Sequence, residues 1–366
     1  MIALLAVLLQ QPDSVPSKPA PPPAAVQASI GYYLKGRDTL LVYEDGGRLL
    51  VRDPRGQAVA LRPERIASER WSRLQVGPAA GGQLRLTPVR PVPELLAADR
   101  ALNPPVERGS FLQPDLVEPA VLDSSIHLDI RYATTNNFLG SVFYAAPHAF
   151  LQRPAAAALL RAARALRPLG YGLLIHDAYR PWYVTKVFWD ATPPASRWLV
   201  ADPARGSKHN RGAAVDITLY DLATGAPIEM PSTYDEATPR AAADFPGGTA
   251  LQRWHRALLR RVMVSQGFIV NPSEWWHFDF RGWERYPILN VPFERLLGSA
   301  PEDTTGFSHA DTLRGSNGPA RAWFDVQFYD LHTRVHPADS SISGWNAITY
   351  RVLQPAQEMQ IDLQVP

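Results

Sequence analysis

The chain has 366 residues, 46% hydrophobic and 20% charged, an ordinary globular balance with enough apolar material for a sizeable core. A formal charge of only +2, with no basic run along the chain, leaves no electrostatic footprint for nucleic acid. Cysteine is absent, which excludes disulfides and thiolate ligands, so any metal must be held by His, Asp or Glu.

At roughly 150 residues per domain, this length suggests two or three domains. Residues 1–27 hold a short apolar run, Met1 to Leu9, and a Pro-rich segment. A bilayer span needs about 20 apolar residues, so this run is too short to cross a membrane. It has the length of a signal-peptide hydrophobic region but no Lys or Arg before it; export to the periplasm or cell envelope is the expectation, with a cytoplasmic protein as the alternative.

Residues 28–90 read as a small β-rich accessory module. Thr39 to Glu44 and Arg48 to Arg52 flank a hairpin turn at Asp45-Gly46-Gly47, and Ala58 to Leu61 is a third strand. A further strand pair is expected from Arg73 to Val76 and Gln83 to Leu86, around Gly81-Gly82. Residues 91–116, rich in Pro and Leu, read as a linker.

From 117 to 298 helices and strands mix without a βαβ rhythm, which predicts an α+β domain with a mostly antiparallel sheet. Ile126 onwards is a strand running into a polar turn. Pro154 to Leu166 is a helix opened by its proline and closed by Pro168 and Gly170. Gly172 to His176 is a short buried strand, and Pro181 opens a helix that runs to Asp190. Ala213 to Leu219 is a strand with Ala214, Asp216 and Thr218 on one face and Val215, Ile217 and Leu219 toward the core. Thr249 to Gln266 is an amphipathic helix with Leu251, Trp254, Leu258 and Val262 in its apolar stripe. The strand Phe268 to Val270 and the segment Glu274 to Phe280 follow. The tail, 299–366, is β-rich: Phe324 to His336, a turn from Pro337 to Gly344, then strands Ala347 to Val352 and Met359 to Val365.

Two stretches carry chemistry. Ser207-Lys-His209-Asn-Arg-Gly212-Ala-Ala-Val-Asp216 offers an imidazole and a carboxylate, with Gly212 allowing a tight turn between them. Glu274-Trp-Trp-His277 offers a second imidazole and a spare carboxylate. Three protein ligands plus one position for water is the inventory of a catalytic zinc site, and a nearby Glu can act as the base. Each residue alone is unremarkable: His209 and Asp216 could be surface polar groups, and His277 a satisfied core histidine. Their combination carries the reading. Asp177-Ala-Tyr-Arg180-Pro181 adds a guanidinium suited to an oxyanion or a carboxylate.

Ser207-x-His209-x-x-Gly212-x-Ala214-x-Asp216, Glu274-x-x-His277 and Asp177-x-x-Arg180-Pro181 together resemble the D-alanyl-D-alanine dipeptidase family, zinc enzymes related to D,D-carboxypeptidases and to the hedgehog fold. Asp129-Ile-Arg-Tyr-Ala-Thr134 and Tyr286-Pro-Ile-Leu-Asn-Val-Pro-Phe293 extend the resemblance over roughly Val117 to Leu297. It implies one Zn²⁺ per chain, held by His209, Asp216 and His277. Glu274 would be the proton-transferring base and Arg180 the oxyanion partner. Ser207 and Asp235 would bind substrate, Asp235 near its ammonium, although Pro231-Ser232 stands where that family usually has a Gly. The implied partner is D-Ala-D-Ala or a related cell-wall peptide. The alternatives are a D,D-carboxypeptidase or endopeptidase acting on peptidoglycan stems, and a non-catalytic zinc-bound binding module. The tail from Trp323 to Leu363 is similar to the first strands of aminopeptidase-N-type peptidases, implying a truncated N-terminal β domain of that family, although no His-Glu-x-x-His occurs.

Overall fold

A computed structural model describes residues 16–76, 84–298, 323–336 and 341–355. The chain divides into two compact units, Met1–Leu297 and Gly298–Pro366. The expected N-terminal apolar run and the strand Met359 to Val365 lie outside the described residues.

After a short helix, α1 (Ala24–Ala28), alternating apolar residues build the first sheet. The strands β1 (Gly31–Lys35), β2 (Asp38–Asp45), β3 (Arg48–Arg52) and β4 (Ala58–Leu61) form an antiparallel meander. Helix α2 (Pro63–Ser68) leads to β5 (Ser72–Leu74), which pairs with β1 and sets the order β4-β3-β2-β1-β5. Tyr33, Leu40, Val42, Leu49, Val51, Leu61 and Trp71 fill its core. The expected strand pairing across Gly81-Gly82 is not what forms. Ser72–Leu74 takes β1 as its partner, and Leu86 instead donates its N–H to the carbonyl of Phe138 at 2.7 Å.

The stretch 91–116, expected as a linker, begins with helix α3 (Val92–Asp99), whose Val92 and Leu95 enter the main core. Two short elements, β6 (Leu116–Val117) and α4 (Pro119–Leu122), precede the central sheet. Its strands are β7 (Ile126–Leu128), β9 (Tyr171–Asp177), β10 (Ala214–Asp221), β11 (Phe268–Asn271) and β12 (Glu274–Phe280), with β8 (Leu151–Gln152) pairing with β6 outside it. The order is β11-β12-β10-β9-β7, antiparallel except for the parallel pair β7 and β9, so the α+β expectation holds.

Helix α5 (Arg153–Leu166) is Ala-rich with Pro154 in its first turn, and its small residues let it lie close to the sheet. Helix α6 (Trp182–Ala191) follows β9, and α7 (Ala250–Ser265) starts with a capping box between Thr249 and Gln252. Leu159 of α5, Val187 of α6, Leu258 of α7 and Val215, Ile217 and Leu219 of β10 share one apolar cluster. Each such fully buried aliphatic side chain contributes about 1.5–3 kcal/mol relative to exposure. Because side chains alternate along β10, this burial leaves Asp216 on the other face of the strand. A final short helix, α8 (Phe293–Gly298), closes this unit's chain.

In the second unit, β13 (Phe324–His336) and β14 (Ser341–Val352) form an antiparallel hairpin. The turn expected to reach Gly344 is shorter, because Ser341 already pairs with His336 and Gly344 with Thr333.

Candidate active site

Three neighbouring strands bring the predicted groups into one row. Asp216 on β10 is the direct partner of His277 on β12 and of Asp177 on β9. The register then slips, with Ile217 opposite Ile175, so His176 is an extra residue on β9 and the strand bulges beside the site. His209 arrives from a one-turn 3₁₀ helix, His209–Arg211, closed by Gly212 at φ 63°. The positive φ favours glycine there, and a Cβ would in addition have to displace the tip of the Leu116 side chain.

His209 and Arg180 are tied together by backbone. The Arg180 N–H donates to the His209 carbonyl at 3.1 Å, and Asn210 Nδ2 donates to the Arg180 carbonyl at 2.8 Å. Ser207 Oγ accepts the His209 N–H at 3.2 Å, which fixes the entry to the turn.

His209, Asp216 and His277 are buried, and one ligand atom from each lies within 4.8 Å of the others. The hydrogen bonds around them select those atoms. His209 Nδ1 lies 2.6 Å from the Ala178 carbonyl, which can only accept, so Nδ1 carries the proton and Nε2 is free. His277 Nε2 lies 2.8 Å from Asp279 Oδ1, leaving Nδ1 to face Asp216 Oδ1 at 3.0 Å and His209 Nε2 at 3.1 Å. Both imidazoles thus point one ring nitrogen at a common spot and donate from the other to an oxygen, the arrangement that orients metal-binding histidines. Two nitrogens and a carboxylate oxygen, with no sulfur, form a donor set that suits zinc.

Electrostatics agree. Burial opposes charge on Asp216, yet the His209 and His277 imidazoles outweigh it and hold the carboxyl well below its usual range. Burial likewise opposes protonation of His277, but Asp216 and Asp279 raise it to about 10. Carboxylates therefore flank His277, and a metal bound at its Nδ1 would take the place of the proton held there.

Glu274 lies at the start of β12, its Oε2 3.9 Å from His277 Nδ1 and held by Asn271 Nδ2 at 2.9 Å. Burial pushes its carboxyl up, with His277 pulling the other way, the direction that suits a proton acceptor working near neutral pH. Arg180 clamps Asp177 Oδ2 through Nε at 3.0 Å and Nη2 at 2.7 Å, with its guanidinium packed over the adjacent rings of Phe188 and Tyr132. Asp177 also accepts from Tyr144 Oη at 3.0 Å, so its role is to hold the arginine in place.

Asp235 sits in the left-handed region at φ 56°, an uncommon and mildly strained conformation for a side-chain-bearing residue. Its Oδ2 accepts from Tyr132 Oη at 2.9 Å, while Tyr234 Oη donates to Asp216 Oδ2 at 2.9 Å. The two tyrosine hydroxyls lie 3.4 Å apart, each giving its one proton to a different carboxylate, so Asp235 and Asp216 are held by neighbouring phenols. Burial and then the nearby Asp216 charge push the Asp235 carboxyl well up. Arg180, Ser207, His209, Asp216, Asp235, Glu274 and His277 all line one cleft of ≈ 980 Å³.

Asp279, Tyr132 and Tyr234 are functional neighbours that sequence reading missed. Asp279 had a signal: it follows His277 by two on a strand and so shares its face. Tyr132 stands in the Asp129–Thr134 segment and Tyr234 beside Asp235, but no local pattern says that their hydroxyls meet at the site.

Residues 113–292 match the family described as D-ala-D-ala dipeptidase. A D-alanyl-D-alanine dipeptidase of Escherichia coli is 33% identical over 183 residues, covering 50% of this chain and 93% of that protein. Those of Streptomyces coelicolor (34% over 181 residues, 44% of this chain and 88% of that protein) and Enterococcus faecium (33% over 190 residues, 45% and 92%) are similar. With the site assembled from the same residues that first suggested it, and nearly the whole of those relatives covered, this chain belongs to the D-ala-D-ala dipeptidase family of metallopeptidases.

Proposed function

We infer that the protein hydrolyses the peptide bond of D-alanyl-D-alanine, with one Zn²⁺ held by His209, Asp216 and His277. The observation that carries this reading is the convergence of His209 Nε2, His277 Nδ1 and Asp216 Oδ1 within 4.8 Å in a chain of this family. When bound, the ion supplies Lewis acidity and makes water a nucleophile near neutral pH.

The chain's own residues do the rest. Glu274, with its raised proton affinity, takes a proton from the attacking water and passes one to the departing amine. Arg180, held rigid by Asp177 and two aromatic rings, presents its guanidinium to the oxyanion of the tetrahedral intermediate. Asp235 is the acid for the substrate ammonium; an ammonium beside it would favour the ionised carboxylate that burial disfavours. Ser207 lines the cleft on the His209 side as a substrate-binding hydroxyl.

One observation favours a second reading. The cleft, at ≈ 980 Å³, sits at the top of the roughly 300–1,000 Å³ range that holds drug-sized ligands, and a dipeptide is smaller than those. That room supports a D,D-carboxypeptidase acting on longer cell-wall stems. Initial rates on D-Ala-D-Ala, L-Ala-L-Ala and an N-blocked tripeptide ending in D-Ala-D-Ala separate the readings. The dipeptidase reading expects the first to be cleaved fastest, and faster cleavage of the blocked tripeptide would replace it with the carboxypeptidase.

Among the described residues no helix is long and apolar enough to cross a membrane. Export to the cell envelope is part of the proposal, supported by the apolar run at Met1 to Leu9.

A further inference from the structure

The N-terminal sheet lies wholly upstream of the family match, which starts at residue 113. The Escherichia coli relative has 93% of its length aligned, over 183 residues, which leaves little room in it for such a module. The module is nevertheless joined closely to this unit's catalytic part. Alternation splits β2: Leu40 and Val42 face the module's own core, while Leu41 and Tyr43 face outward and bury Phe245. Between them and α7 lies Glu44, 1% exposed, with every polar group engaged. Its N–H donates to the Gly248 carbonyl at 3.1 Å, and its carbonyl accepts from Arg253 Nη2 at 2.9 Å. Its Oε2 accepts the Ala250 N–H at the start of α7, and its Oε1 accepts the Gly47 N–H, both at 2.7 Å. Arg253 also reaches Asp45 at 2.8 Å and lies over the Tyr43 ring.

The anchored segment is the back of the cleft wall. Running backwards from Gly248, the chain passes Phe245, then Ala242 and Thr238, then Glu236 and Asp235, and the last four line the cleft. The Ala243 N–H donates to the Pro272 carbonyl at 3.0 Å, which extends the tie to the turn between β11 and β12. Asn271, the last residue of β11 before that turn, is the partner of Glu274. A buried carboxylate with matched donors on both sides of an interface is a specific fixture, since leaving such a group unpaired is costly.

We propose that the N-terminal sheet is an intramolecular brace that sets the position of the cleft wall bearing Asp235, with Glu44 as its positioning residue. The brace acts on the side of the cleft that receives the substrate's ammonium, and so on substrate selection rather than on the metal. This rests on the D-Ala-D-Ala reading for its kinetic arm, while its structural arm is independent of any substrate.

The experiment uses the full chain with Glu44→Ala and, as a variant on the other side of the interface, Arg253→Gln. The Thr249–Gln252 capping box remains in both, so α7 keeps a cap of its own. Hydrogen–deuterium exchange should rise about tenfold or more over 231–248 while β9, β12 and α5 stay protected. Unchanged exchange in that wall overturns the proposal whatever the substrate. On D-Ala-D-Ala, KM should rise about tenfold with kcat and metal content near wild type, and the preference over the N-acetylated dipeptide should shrink. A wild-type KM and an unchanged preference, in variants that fold and bind metal, would equally overturn it. Failure of the wild-type protein to cleave the dipeptide would instead remove the substrate reading and leave the exchange result to decide the brace.

Discussion

Asp216 and His277 are direct antiparallel neighbours on β10 and β12, and their side chains meet at 3.0 Å between Oδ1 and Nδ1. Two metal-ligand candidates therefore owe their geometry to a sheet register rather than to a loop. A register is hard to shift, because moving one residue would turn every buried side chain of β10 to the wrong face. His209 is added from a turn that one backbone hydrogen bond and the Asn210 side-chain amide fasten to Arg180.

Since His209 is one of three donors, His209→Ala should lower zinc content sharply in protein purified at limiting zinc, read by metal analysis. Asp279→Asn is the subtler variant. It keeps the shape but removes the carboxylate that accepts from His277 Nε2 at 2.8 Å, and metal affinity should fall about 10- to 100-fold. An undiminished affinity would deny Asp279 its orienting role.

Glu274 contributes no ligand atom to the three-residue cluster. Glu274→Gln should therefore retain zinc while kcat falls by about 10²- to 10⁴-fold, the usual contribution of a positioned acid–base group. Turnover within a few-fold of wild type would transfer that role elsewhere.

Arg180→Ala carries two costs that separate experiments can read. Loss of an oxyanion donor should lower kcat by about 10²- to 10³-fold. Loss of the partner of buried Asp177 should destabilise the fold by about 3–5 kcal/mol, because the carboxylate is left unpaired away from water. Denaturant melts and single-turnover rates on the surviving folded fraction distinguish the two.

His255 on α7 offers a pH test away from the metal. Burial, with Lys18 adding repulsion, lowers its pKa to about 4. The unfolded value is about 6.5, so between these limits the unfolded chain binds more protons and stability rises with pH. The stabilisation is complete above pH 6.5 and is lost as pH falls toward 4, at most about 3 kcal/mol. Urea melts at pH 7.5 and 4.5 should show a smaller difference for His255→Gln than for wild type; identical differences would exclude His255 as the source.

Much of this site was legible because its chemistry sits on regular elements or beside glycine and proline. The face carrying Asp216 follows from alternation, and the turn at Gly212 from the need for φ > 0. Asp279 was equally legible by alternation but went unread, since it is not itself a ligand. Tyr132, Tyr144 and Tyr234 could not be read, because their meeting depends on long-range packing that no local pattern records. The helix at Val92–Asp99 was hidden by the Pro residues around it, and tertiary burial of Val92 and Leu95 overrode that weak local signal. The misplaced partner of β5 has the same origin: two plausible strands were paired because they were neighbours in sequence, while β1 offered the better edge.

The strand row Asp177, Asp216, His277 also says where this enzyme can be altered. Its reacting groups stand on hydrogen-bonded strands whose other faces are core, so substitutions there cost both activity and stability. The segments 198–206 and 236–242 line the same cleft from loops and short 3₁₀ turns and hold none of the three metal-ligand candidates. A mutant library confined to them would search substrate preference with the hydrolytic centre held constant, and its inactive members should still load metal.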